Sequence, residues 1–142
     1  TVEGTPVTAP ARCFLVERMV SNPVAELLVG VRNNDQFGHT LTLASGGTLV
    51  ELVSDSATVL LPAEREEIAA AVNSLRVAAL IRGYRNRPAA NLDRLLDTVC
   101  AVISFTSELG ARLDELDINP LIAHPDGCSA ADVLLRLDEN TL

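Results

Sequence analysis

Glu115-Leu-Asp-Ile-Asn-Pro-Leu121 is the stretch whose reading decides the fold, because polar and apolar residues alternate along it before a turn. In an extended chain this spacing sends Glu115, Asp117 and Asn119 to one face and Leu116, Ile118 and Pro120 to the other. Pro125-Asp-Gly127 then interrupts two apolar-alternating runs, which predicts a hairpin. Its return arm brings Asp132 alongside Asn119. An amide oxygen and a carboxylate facing one another suit a hard cation such as Mg²⁺, which takes oxygen ligands octahedrally at about 2.1 Å and keeps waters or phosphates in its other positions. A solvated acidic strand face would look the same, so the choice rests on the remainder of the chain.

The 142 residues read as a single domain, long enough to bury about two-thirds of the surface of the unfolded chain. Apolar residues make up 48% of it and aromatics only 3%, so its core is built from Leu, Val, Ile and Ala. No run is apolar enough to cross a bilayer and no signal segment opens the chain. Three scattered cysteines, Cys13, Cys100 and Cys128, with two histidines, argue against zinc or a disulfide scaffold and for a reducing cytoplasm. The net charge of −8 argues against nucleic acid or an anionic membrane as partner. All eleven cations are arginine; no lysine is present to hold phosphates.

Upstream, Thr1 to Ala11 reads as a loop or linker, and Arg12 to Val20 as a β-type run ended by Ser21-Asn-Pro23. Ala25–Arg32 is a nearly continuous apolar strand, expected to be buried on both faces. His39–Ala44, Thr48–Leu52 and Ala57–Leu61 follow as strands, separated by Asn33-Asn-Asp35 with Gly38 and by Ser45-Gly-Gly47. The period then changes. Glu64, Glu66 and Glu67 open a helix carrying Ile68, Val72 and Leu75, and Val77–Ile81 makes a second, short one. After the basic loop Gly83–Pro88, Asn91 caps a long helix with the stripe Leu92, Leu95, Leu96, Val99, Val102, Ile103. The acidic hairpin closes the chain, with Asp138–Leu142 as a frayed end. The sum is an α+β fold, an antiparallel sheet with helices packed on one face.

In this order the chain resembles the C-terminal lobe of the ATP-grasp domain of NDP-forming acyl-CoA synthetases, the group of succinyl-CoA synthetase β subunits and ADP-forming acetyl-CoA synthetases. The resemblance is carried by Leu15-Val-Glu-Arg-Met-Val20, Glu26-Leu-Leu-Val-Gly-Val-Arg32, Asp35-Gln-Phe-Gly38, Ser45-Gly-Gly47 with Val50-Glu51, Gly83-Tyr-Arg85 and the Glu115–Leu121 stretch. It implies that Glu17, Arg18 and Met19 read adenine mainly through the main chain, and that Glu26 accepts hydrogen bonds from the ribose hydroxyls. It implies that Asn119 and Asp132 are Mg²⁺ ligands, the metal offsetting the charge of a transferring phosphoryl group. Asp117 is then an auxiliary ligand or a solvated acid. Gly46 and Gly47 let backbone amides approach a phosphate or simply turn the chain. Arg32 holds a phosphate with its fork or makes a surface ion pair.

Family enzymes relay phosphate through a histidine, but neither His39 nor His124 matches that position, and both read as surface residues. The stretch before Gly-Gly is Leu43-Ala44, where the family often has Phe-Gly. The family's other lobe, with its lysines and glycine-rich loop, would lie upstream of Phe14. The expectation is therefore a lobe excised from a longer ligase, or one completed by another chain together with CoA-binding domains. Alone it should bind ATP or ADP with Mg²⁺ but catalyse poorly, and its uncovered surface would favour a homodimer. The alternative is a non-catalytic assembly or ligand-sensing module, for example in an acetyltransferase fusion.

Overall fold

A computed structural model describes residues 16–46 and 55–138. Its elements are strands β1 (Ala25–Asn34), β2 (Gly38–Ser45) and β3 (Ser56–Leu60), helices α1 (Arg65–Ser74), α2 (Ala78–Ile81) and α3 (Leu92–Leu109), then a 3₁₀ turn (Gly110–Arg112). Strands β4 (Leu113–His124), β5 (Gly127–Ala130) and β6 (Val133–Leu137) complete it. The sheet runs β3-β2-β1-β4-β5, every pair antiparallel, and β6 pairs with β4 as well.

One face of this sheet is sealed. Leu27, Val29 and Val31 of β1, Leu41 and Leu43 of β2, and Leu116, Ile118 and Leu121 of β4 share a core with Ile68 and Val72 of α1 and Leu95, Leu96 and Val99 of α3. Each such side chain contributes about 1.5–3 kcal/mol when fully withdrawn from water. The expected stripe of α3 therefore faces the sheet, and Asn91 caps the helix by accepting from the Arg94 amide at 3.1 Å. At the start of α1 the Glu64 amide donates to Glu67 Oε2 at 2.9 Å, reciprocating the end of the helix that those acids were expected to favour.

Several expectations change. Residues 16–20 of the predicted Arg12–Val20 strand lie outside any strand, and Val16 and Met19 are almost fully exposed. Asn22, at φ 54, turns the backbone before Pro23, so this run cannot continue into β1. The chain joins the sheet only at Val24, whose amide donates to the Ala123 carbonyl. β1 is buried on one face rather than both: its inward residues are covered, while Glu26, Leu28 and Gly30 stay half-open, no helix among the described residues packing on that side. The return arm of the last hairpin is split in two, β5 lying along Leu121–His124 and β6 along Leu113–Ile118 on the same edge of β4. Gly47 and the Thr48–Leu52 strand lie outside the described residues, as do the whole of the expected N-terminal linker and all of the C-terminal tail but Asp138.

The corner after β2 shows why a glycine stands at 46. Its amide donates to the Glu26 carbonyl at 2.6 Å, and a Cβ there would lie 2.7 Å from the Glu26 carbonyl carbon and 2.8 Å from the Leu27 nitrogen. Backbone atoms cannot yield as a flexible side chain can. Gly46→Ala is therefore expected to cost about 1–3 kcal/mol of stability, read as a lower urea midpoint at unchanged slope. A midpoint equal to that of the parent protein would contradict this packing.

Candidate nucleotide and metal site on the open sheet face

The face away from the helices carries the polar residues that the strand periodicity assigned to it. A pocket of about 260 Å³ lies there, lined by Leu28, Gly30 and Arg32 of β1, Thr40 and Thr42 of β2, and Glu115 and Asp117 of β4. Register explains the gathering: Gly30 stands opposite Asp117 and Arg32 opposite Glu115. Arg32 Nη2 donates to Glu115 Oε1 at 2.5 Å, and Arg136 Nη1 lies 3.7 Å from the other oxygen of the same carboxylate. Of the two readings left open for Arg32, the ion pair is present.

Asn119 and Asp132 meet at the break between β5 and β6. The Asn119 amide donates to the Asp132 carbonyl at 3.2 Å, and the Ala131 amide donates to the Pro120 carbonyl at 3.0 Å. Both residues are exposed. The Asp132 carboxylate lies close enough to Asp117 to be felt there. Burial, helped by the negative charges of Glu115 and Asp132, pushes the Asp117 carboxyl above its ordinary value, against the opposing pull of Arg32. Three acids thus crowd one side of β4, a charge excess that a cation would relieve.

Among the described residues no group of three or more His, Cys, Asp or Glu side chains could hold a metal. That does not tell against Mg²⁺, which is commonly held by one or two protein oxygens with phosphates and water supplying the rest. The donor set of Asn119, Asp132 and nearby Asp117 fits such a site.

The remaining candidates are placed less tightly. Glu26 opens β1 opposite Ile122 and is half-buried on the same open face. Glu17, Arg18 and Met19 are exposed in the segment leading to it, with no hydrogen bond or ion pair to the sheet among the described residues. Gly46 spends its amide on Glu26, which accounts for that glycine without a phosphate; Gly47 is not described. His39 and His124 are half-buried rather than at the surface, His124 Nε2 lying 3.4 Å from Ser129 Oγ. Sequence reasoning missed Thr40, Thr42 and the Glu115 pairing. The alternation along β2 carries the signal for the threonines, but the Arg32–Glu115 pair depends on a register between strands far apart in the chain.

A second acid near this end of the sheet behaves oppositely. Burial works to raise the Asp55 carboxyl, but the Ser45 hydroxyl and the amides of Arg76 and Val77 outweigh it and hold it below the ordinary value. Asp55 thereby ties β2 to the start of α2, accepting from the Arg76 amide at 2.9 and 3.0 Å.

These two acids predict opposite pH dependences. The raised Asp117 value means that its contribution to stability is present below the ordinary carboxylate value and is lost as pH rises through the folded value. The depressed Asp55 value means stability present above the ordinary value and lost as pH falls through the folded one. Asp117→Asn should thus raise the denaturation midpoint at neutral pH and lose that advantage in acid, whereas Asp55→Asn should lower it at neutral pH. Parallel behaviour of the two variants would contradict the assignment.

Comparison with known proteins agrees with this architecture. The profile of the ATP-grasp domain matches residues 3–137. The chain is 29% identical over 138 residues to "Acetate--CoA ligase [ADP-forming] I" of Archaeoglobus fulgidus, covering 97% of this chain and 20% of that protein. It is 28% identical over 112 residues to "Acetate--CoA ligase [ADP-forming] I subunit beta" of Pyrococcus furiosus, covering 79% of this chain and 48% of that subunit. It thus spans about a fifth and about half of these two relatives. A solved structure of dinucleotide forming acetyl-coenzyme A synthetase 1 from Ca. Korarchaeum cryptofilum, in complex with coenzyme A and Mg-AMPPCP, superimposes with a TM-score of 0.76 at 25% identity, over 83% of this chain and 55% of that one. The six-stranded sheet with helices on one face, the match along nearly the whole chain and these relatives place the protein: it belongs to the ATP-grasp family and is homologous to ADP-forming acetyl-CoA synthetases.

Proposed function

We propose that this chain is the C-terminal, nucleotide-binding lobe of a cytoplasmic NDP-forming acyl-CoA synthetase, an acid–thiol ligase that couples nucleotide phosphorylation to acyl-CoA through a phosphohistidine. The observation that carries the reading is the backbone contact between Asn119 and Asp132, with Asp117, raised by burial and then by the charges of Glu115 and Asp132, beside it. An amide oxygen and a carboxylate there would hold Mg²⁺. The bound metal would offset the charge of the phosphates and of the transferring phosphoryl group.

The chain's own residues would do the rest. Glu26, half-buried at the start of β1, would accept from the ribose hydroxyls; its carboxylate is costly there unless partnered. The exposed main chain of Glu17, Arg18 and Met19 would meet adenine, and ordering that segment would be part of the binding cost. Asp117 would orient metal-bound water or serve as an auxiliary ligand. With no lysine in the chain, most of the phosphate charge would be met by the other ATP-grasp lobe, and CoA by further domains, in the same or another chain. The proportions of the relatives support this division, since one of them is a whole ligase and another a single subunit.

The test is calorimetric titration of the protein, in its natural assembly, with Mg·ADP. Asn119→Ala and Asp132→Ala are each expected to weaken binding about tenfold or more, the scale of one lost charge-assisted contact. Chelating the metal should weaken the parent protein to the same level. Unchanged affinity in both variants would remove the metal site from the ribbon.

A further inference from the structure

The open face is not uniform in charge, and its order along β1 has a consequence for what each end can recognise. Outward positions follow one another as Glu26, Leu28, Gly30 and Arg32, about 7 Å between successive ones. On the facing strand, Ile122 stands opposite Glu26, Asp117 opposite Gly30 and Glu115 opposite Arg32, with Asn119 at the register shift between Leu27 and Val29. Read from the start of β1, the sequence of features is a carboxylate, then the Asn119–Asp132 contact, then Asp117, then the Arg32–Glu115 pair. At that far end Glu115 pairs with two guanidiniums, Arg32 and Arg136, and Arg32 also acts on the neighbouring Asp117. The middle is acidic, and the cations stand at the end.

Ribose at Glu26 and a metal at Asn119–Asp132 would align the phosphate chain with β1, its terminal group entering the pocket over Gly30. That group keeps anionic oxygens that a single metal does not cover. The pocket wall it meets is Arg32 with Glu115 and Asp117 on one side and Thr40 and Thr42 on the other, so Arg32 is the cation there that can offset its charge. The two members of the pair differ in freedom: the Arg32 side chain is 67% exposed and that of Glu115 only 20%. An exposed pair of this kind stabilises a fold little, so stability does not explain the arrangement. The inner carboxylate instead holds the outer guanidinium beside the pocket that both residues line, and a planar fork can take two phosphoryl oxygens at once.

We infer that Arg32 recognises the terminal, transferring phosphoryl group of the bound nucleotide, not its diphosphate part, and that Glu115 is the positioning residue that presents it. This rests on the proposed nucleotide-binding reading, and it adds a discrimination that the reading does not contain. Arg32 should tell a triphosphate from a diphosphate.

The experiment compares Mg·AMPPCP, a triphosphate analogue, with Mg·ADP as titrants of the protein in its natural assembly. Arg32→Ala is expected to weaken Mg·AMPPCP about tenfold or more and to leave Mg·ADP within about twofold, below what one such contact contributes. Arg32→Lys should recover part of the loss, because a point charge replaces the fork. Glu115→Gln should weaken Mg·AMPPCP in the same direction, and combined with Arg32→Ala it should add nothing, since it acts only through the arginine. Equal losses for both nucleotides, or no loss for either, would overturn the role of Arg32. An additive loss in the double variant would overturn that of Glu115. If the parent protein bound neither titrant, the nucleotide reading itself would fall and the inference with it; a parent that binds both while Arg32→Ala changes nothing sinks the inference alone.

Discussion

One-sided burial of the sheet is the constraint on which everything else depends. The helices α1 and α3 cover one face of β1, β2 and β4, so the fully buried residues of these strands point that way. Period-two alternation then forces the intervening residues onto the other face whatever their chemistry. In β4 they include the acids Glu115 and Asp117; in β1 they are a glutamate, a leucine, a glycine and an arginine. A one-residue slip of β4 against β1 would move its acids into the core, at a cost of several kcal/mol per unpaired charge. The same hydrophobic contacts that hold the fold therefore hold the polar face in register.

Among the described residues nothing closes that face, whose surface is partly covered and partly charged. Leu28 and Gly30 floor a pocket between threonines and acids, and the cations beside it are few. A surface of this kind, in a family that includes whole ligases and separate subunits, is the side on which a second lobe would be expected to sit. In the proposed reading this lobe brings the metal ligands and, with no lysine in this chain, the other brings most of the phosphate charge. Arg32 is the one cation among the described residues that line the pocket.

Much of this was legible in the sequence where the signal is local. The alternation of Glu115 to Asn119 and the Pro125-Asp-Gly127 turn suffice to put Asp132 beside Asn119, although the alternation breaks at Asn119–Pro120 and Leu121, not Pro120, joins the core; Asn91 with its apolar stripe suffices for α3. What was not legible depends on distant partners. The apolar run of β1 looks two-sided because Leu28 and Gly30 are apolar too, and only the one-sided placement of the helices shows that their face is open. The Arg12–Val20 run has strand composition, yet residues 16–20 find no ladder partner among the described residues once Asn22 turns the chain. Gly46 could be read as a phosphate contact or a turn; the close approach of the Glu26 backbone could not be foreseen from Gly-Gly alone. Asp55 gave no hint that it would join Ser45 to the amide of Arg76.

The central claim is that a metal carrying a nucleotide sits on the ribbon at Asn119 and Asp132. Mn²⁺ can replace Mg²⁺ at oxygen sites and scatters anomalously, so crystals of the natural assembly grown with Mn·ADP locate it directly. The account predicts an anomalous peak within coordination distance of the Asn119 amide oxygen and the Asp132 carboxylate, with the nucleotide running along the open face of β1. A peak elsewhere, with that ribbon bare, would contradict it.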